Sequence, residues 1–144
     1  MLHFFYLHLM DNTDRDYKLL QIRPIIAKAQ VTNQTLELER FQNLTLRPIA
    51  KLQNDLLVEV FRVYINYRKN TYLRLSNEKK VNYIEHAVKQ DAKLRRQLQG
   101  IFIGHFTSEE YKIYTKEYKA FNKRINNLCI ERLKSQMQLF ETAN

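Results

Sequence analysis

The chain has 144 residues, 44% hydrophobic and 27% charged, with a formal net charge of +9. That length carries one domain with a core of its own and argues against two. Two glycines, two prolines and one cysteine argue against a turn-rich β fold and exclude an intramolecular disulfide framework and a multi-cysteine metal site.

The charge is uneven. Residues 1–70 carry 10 Lys and Arg against 7 Asp and Glu, and residues 71–144 carry 14 against 8. The excess supports an anionic partner only weakly, because acids are interleaved throughout. The opening MLHFFYLHLM is apolar, but it falls short of the about 20 residues that a bilayer span requires. It lacks the basic stretch and small-residue cleavage site of a secretory signal. Residues 1–13 read as a leader, flexible or mis-assigned, with Met10 as an alternative start. Residues 14–144 read as a single helical domain, expected in the cytoplasm and with no membrane partner.

The first helical pattern runs from Asp14 to Gln30, with Leu19, Ile22, Ile26 and Ala29 on one face and Pro24 as a kink or break. A short second pattern covers Asn33 to Asn43, with Leu36, Phe41 and Leu44 as apolar points and Thr32 or Asn33 as cap. The third is long. Thr45 reads as its N-cap and Pro48 as a first-turn proline. Ile49, Leu52, Leu56, Val60, Val63 and Tyr67 form its stripe, which Leu57, Phe61 and Ile65 widen. Apolar character around so much of the circumference predicts a central helix or one shared in a homodimer.

Residues 70–76 read as a connection and Ser76 as the next N-cap. The fourth helix aligns Val81, Ile84, Val88, Asp91, Arg95 and Leu98. Both glycines follow, in GIFIGHF. That stretch lacks the lysine and the preceding strand of a phosphate loop. Gly100 and Gly104 therefore read as a close helix contact and a helix C-cap, with a hinge as the alternative. Thr107 and Glu110 form a capping-box pattern that opens a fifth helix reaching about Phe140. Its stripe is Tyr111, Tyr114, Tyr118, Phe121, Ile125, Leu128 and Arg132, and the tyrosines read as core or interface. The fold class is all-α, with about five helices and a bundle of long antiparallel third, fourth and fifth helices.

The chemistry-bearing motifs are few. Neither ExxH nor HExxH occurs, so no metal site and no cofactor is expected. Cys129 reads as a small apolar residue on a helix. Asp91 and Arg95, four apart on an apolar line, read as an intrahelical ion pair or as a buried polar pair orienting a ligand. Asn43, Arg47, Gln53, Asn54 and Asn122 could join them in one polar pocket for a ligand, and no catalytic residue is assigned. Basic residues interleaved with aromatics, as in YRKNTYLR and YKIYTKEYK, leave nucleic-acid binding open.

FQNLTLRPIAKLQNDLL, SNEKKVNYIEHAVKQD with LQGIFIGHFTSEEY, and NKRINNLCIERLKSQ carry a resemblance. Over most of its length the chain resembles a group of short, uncharacterised bacterial proteins, some of which bear the label glyoxalase. That label implies a metal-dependent isomerase of βαβββ units with His and Glu ligands. The chain has no strand pattern and no such ligand set, so the resemblance brings no functional residue with it. The leading expectation is a non-catalytic helical module that self-associates, as a homodimer, and binds a protein partner or ligand. The alternatives are a basic nucleic-acid binder and a small enzyme with a pocket around Asp91, Arg95 and Arg47.

Overall fold

The structure is a computed structural model that describes residues 13–26 and 36–141. In chain order it runs α1 (Asp14–Ile22), α2 (Glu37–Phe41), a π-helical turn (Gln42–Leu46), α3 (Arg47–Leu52), α4 (Asn54–Tyr67), a 3-10 turn (Thr71–Arg74), α5 (Asn77–Gln90), α6 (Ala92–Ile103), α7 (Ser108–Lys116), α8 (Tyr118–Ser135) and a 3-10 turn (Met137–Phe140). The described residues contain no strand, so the all-α class holds, and the βαβββ architecture has no counterpart among them.

Local chemistry accounts for several helix starts. Thr13 accepts from the Asp16 amide, Ser76 from the Lys79 amide and Asp91 from the Leu94 amide. Thr107 and Glu110 complete the expected capping box in both directions. Pro24 ends α1 early: Arg23, immediately before it, is extended rather than helical. The first pattern therefore stops at Ile22, and its expected continuation over 27–30 lies outside the described residues. So do Thr32 and Asn33, the expected caps of the second pattern, and residues 1–12 of the leader.

About five helices are too few. Three long periodic runs are each broken in the structure. The third breaks at Gln53 (φ −95°, ψ 10°), the fourth at Asp91 (φ −84°, ψ 103°) and the fifth at Glu117 (φ −141°, ψ 44°). The second and third patterns, by contrast, run together without a gap through the π-helical turn. Thr45 is therefore not an N-cap; it is buried within that turn, and its hydroxyl donates to Glu110 at 2.7 Å. The backbone reverses after α4 at Lys69 and Asn70, both left-handed at φ 60° and 56°.

The hub is α8, which packs against α3, α4, α5 and α6. The third sequence pattern, expected to be central or shared in a homodimer, forms α3 and α4, both packed against α8. Phe121, Ile125, Leu128, Cys129 and Leu133 of α8 are buried along the core. At one end Phe41 and Phe121 meet with ring centroids 4.4 Å apart, beside Phe106 and Tyr114. At the other end Phe61, Tyr72 and Phe140 close the core, with Phe61 and Phe140 at 5.2 Å. Each such side chain, fully buried, contributes about 1.5–3 kcal/mol of transfer free energy.

The glycines divide the two roles differently from the expectation. Gly104 is the C-cap of α6, but with ordinary right-handed φ and ψ. Gly100 is exposed, and a Cβ placed there would meet nothing within 4 Å. It is not a close helix contact. Among the described residues no helix is long and apolar enough to cross a membrane.

Candidate functional site

The third sequence pattern is apolar on two faces, and along α4 the structure buries the widening face and leaves most of the main stripe exposed, while Ile49 of that stripe is buried and Val60 packs against the core. Leu57, Val58, Phe61 and Ile65 of α4 are in the core. Leu52, Leu56, Val63 and Tyr67, from the main stripe, are 37%, 45%, 47% and 86% exposed. Side chains at i, i+4, i+7 and i+11 share one helix face, so Leu56, Val60, Val63 and Tyr67 form a continuous apolar strip along α4. That strip is one wall of an open groove of about 640 Å³, whose other wall is the start of α6, with Leu94 at its floor.

A polar knot closes one end of the groove. Asp91 sits between α5 and α6, because its carboxylate caps α6 through Oδ1 at 3.0 Å from the Leu94 amide. Its other oxygen accepts from Tyr64 Oη at 3.2 Å and forms an ion pair with Arg68. The Arg68 guanidinium also lies 4.1 Å from the centroid of the Tyr64 ring, a cation–π contact. The Leu94 amide, and then Arg68 and Tyr64, hold the Asp91 carboxyl below the usual carboxylate range although partial burial opposes them. Burial, with Arg68 opposing and Asp91 reinforcing, pushes the Tyr64 hydroxyl up to about 12. Neither group is poised to exchange a proton near neutral pH. The knot fixes the groove's end; it is not an acid–base pair.

The residues expected to form one polar pocket go to separate places. Asn43 accepts from Arg47 Nε at 3.3 Å along their own helical run. Gln53 contacts the His105 ring. Asn54 exchanges two amide hydrogen bonds with Gln136, at 2.6 and 2.8 Å. Asn122 accepts from Tyr114 Oη at 2.6 Å. Arg95 does not pair with Asp91; its guanidinium donates to the Lys89 carbonyl at 2.7 Å, tying α6 to the end of α5. Of the seven, only Asn43 and Arg47 share a side-chain hydrogen bond among the described residues.

The most enclosed polar cluster was read in the sequence only as a capping box. Glu110, buried at the start of α7, accepts from both Arg23 amino groups at 2.6 and 2.9 Å. It also accepts from the Thr107 amide at 2.8 Å and the Thr45 hydroxyl at 2.7 Å. Burial alone would raise this carboxyl; the Arg23 fork, the Thr107 amide and the Thr45 hydroxyl outweigh it and hold the carboxyl low. With four donors on two oxygens it has no position left to take a substrate proton. Burial, then Arg23 and Arg15, lower the nearby His105, which favours the neutral ring.

Cys129 is wholly buried, and burial pushes its thiol up to about 12, the character of an inert core cysteine. Among the described residues no three His, Cys, Asp or Glu side chains are placed to hold a metal ion. Comparison of the chain with protein-family models, with curated proteins and with solved structures finds no match.

Proposed function

We propose that this protein is a non-catalytic helical module that self-associates through the groove between α4 and α6, with a second copy of the chain as occupant. The observation that carries this reading is the exposed apolar strip of α4. Leu56, Val63 and Tyr67, 45%, 47% and 86% exposed, leave on the order of 300 Å² in water, at the lower end of the roughly 300–600 Å² at which a patch on a monomer is often functional. A standard interface takes about 800 Å² from each partner, so this strip supplies a core and leaves a polar rim to be added.

The charges at the groove favour a like copy over a strongly charged stranger. Glu59 stands on the α4 wall and Lys93 on the α6 wall. Opposite charges on the two walls allow a surface that is self-complementary about a two-fold axis. The knot at Asp91 holds both walls at a fixed separation, so little ordering entropy is lost on docking.

Sedimentation equilibrium across micromolar concentrations tests the reading. The native chain should distribute as monomer and dimer. Val63→Glu and Leu56→Glu, each at a solvated position, should give monomer alone with an unchanged helical circular dichroism spectrum. A native chain that stays monomeric throughout, or charge variants that dimerise as before, would overturn it.

A further inference from the structure

A second surface, sharing no residue with the groove, lies along α7 and the start of α8. Its sequence is YKIYTKEYKAFNKR, residues 111–124, in which five cations stand against one acid, Glu117. Lys112, Lys116, Lys119 and Lys123 recur at spacings of 4, 3 and 4, and all four are exposed. Lys112 and Lys116 lie four apart on α7, and Lys119 and Lys123 four apart on α8, so each pair stands about 5–6 Å apart on its own helix, with the break at Glu117 between the pairs. Lys116, Lys119 and Lys123 lie in no salt bridge among the described residues, and Lys112 makes only an exposed contact with Glu109 at 3.2 Å, of the kind worth little. Of the two acids just before Tyr111, Glu109 is the partner of Lys112 and Glu110 is buried and neutralised by Arg23.

Beside the lysines runs a row of tyrosines. Of the stripe Tyr111, Tyr114, Tyr118, expected in a core or an interface, the structure buries only Tyr114; Tyr111 and Tyr118 are 49% and 51% exposed. Tyr114 anchors the row. Its hydroxyl is held by Asn122, and its ring centroid lies 5.9 Å from that of Tyr111. Burial raises the Tyr114 hydroxyl, with Tyr111 and Tyr118 adding to it and the Asn122 hydrogen bond opposing. A half-exposed ring seated on Tyr114, a second half-exposed ring on the next helix and four exposed lysines on the same two helices supply the elements of a stacking platform and a phosphate track.

From this juxtaposition we infer that the α7–α8 face binds single-stranded nucleic acid without sequence preference, bases on Tyr111 and Tyr118 and phosphates along Lys116, Lys119 and Lys123. Charge alone would equally suit an acidic peptide; the exposed rings favour a ligand that offers a flat face at each charged unit. Stacking on a ring face and pairing with a phosphate read no base edge, so the contacts carry no sequence preference.

The test is fluorescence anisotropy with a labelled, mixed-sequence single-stranded RNA, titrated at several salt concentrations. Binding should weaken as salt rises, and Lys119→Ala with Lys123→Ala should lower the log–log slope by about 0.7 for each lysine removed. Tyr111→Ala with Tyr118→Ala should weaken binding by roughly fivefold or more at each ring with the slope unchanged. Tyr111→Phe with Tyr118→Phe should keep the native affinity, because stacking does not use the hydroxyl. Both tyrosines are half exposed, and an unchanged circular dichroism spectrum shows that each variant has folded. Absence of binding at low salt would overturn the inference. So would alanine variants that bind like the native chain, or displacement of the RNA by polyglutamate as readily as by unlabelled RNA.

Discussion

Glu110 shows how one side chain can be legible for a single task and hold several. The Thr107–Glu110 spacing announces a capping box, and the box forms. The same carboxylate also receives Arg23 from 87 residues earlier and Thr45 from 65 residues earlier, partners that no local pattern announces. The Arg23 and Glu110 side chains are only 8% and 11% exposed, and breaking such a pair from one side costs about 3–5 kcal/mol because the remaining charge stays buried. Glu110→Gln should therefore lower the stability measured by urea unfolding by an amount of that order. The pH dependence has a definite sign. The folded-state pKa lies below that of an unfolded glutamate, so the stabilisation is complete above the ordinary glutamate range and is lost as the pH falls through the lowered value. Below about pH 4 the native chain should lose stability more steeply than Glu110→Gln, which has no proton to take up there. Parallel acid limbs for the two proteins would refute the role given to this carboxylate. Asp16 and Asp91, also held low, leave an acid limb in both.

At the scale of elements, the two glycines of α6 make opposite demands. Gly100 lies inside the helix with open space where a Cβ would go. A mid-helix glycine costs roughly 0.5–1 kcal/mol relative to alanine, so Gly100→Ala should raise the stability by about that amount, a gain in Tm of about 2–4 °C. At Gly104 the added Cβ would stand 3.2 Å from the Gly100 carbonyl oxygen. Gly104→Ala should gain less or nothing, although its φ suits any residue. Equal gains at both sites in thermal unfolding would contradict this account. The same contrast explains what the sequence could disclose about elements. Caps were legible at Ser76, Thr107 and Glu110 because capping is decided within four residues. The breaks at Gln53, Asp91 and Glu117 were not, because apolar periodicity continues across each of them. Asp91 stood on the apolar line of one presumed helix when it is the cap that divides two. The broad stripe of the third pattern likewise left open which face meets the core. The structure puts Leu57, Phe61 and Ile65 inward and leaves Leu56, Val63 and Tyr67 in the groove. Only the packing of α8 against α4 settles that choice.

At the scale of the whole molecule, the described segment 13–26 is attached by different forces from the rest. The core draws its members from Phe41 to Phe140 and none from this segment. In α1 the buried residue is Asp16, a charged one, while Ile22 and Ile25 are exposed. The attachment is a set of charge-assisted hydrogen bonds to the corner between α6 and α7. Arg15 donates to the Gly104 and Phe106 carbonyls at 2.9 and 3.0 Å, and Arg23 to the His105 carbonyl at 2.8 Å. Asp16 accepts from the Ser108 amide at 3.2 Å. Three successive carbonyls of the corner are thus satisfied from one arm, which gives the corner its partners without adding apolar area. Hydrogen bonds of this kind hold orientation but contribute modest net stability each, and the exposed ones weaken in salt. The α1 part of the arm, residues 14–22, should therefore open without unfolding the body, while Arg23 beyond it stays in its buried pair with Glu110. In native-state hydrogen exchange the amides of Leu19 and Leu20 should exchange through a local opening that added denaturant barely changes, while those of Ile125 and Leu128 in α8 exchange only through global unfolding. Arg15→Ala should speed exchange in α1 and leave α8 untouched. If the α1 amides exchange only with the global event, the arm is part of the cooperative core, and the polar attachment is stronger than its geometry implies.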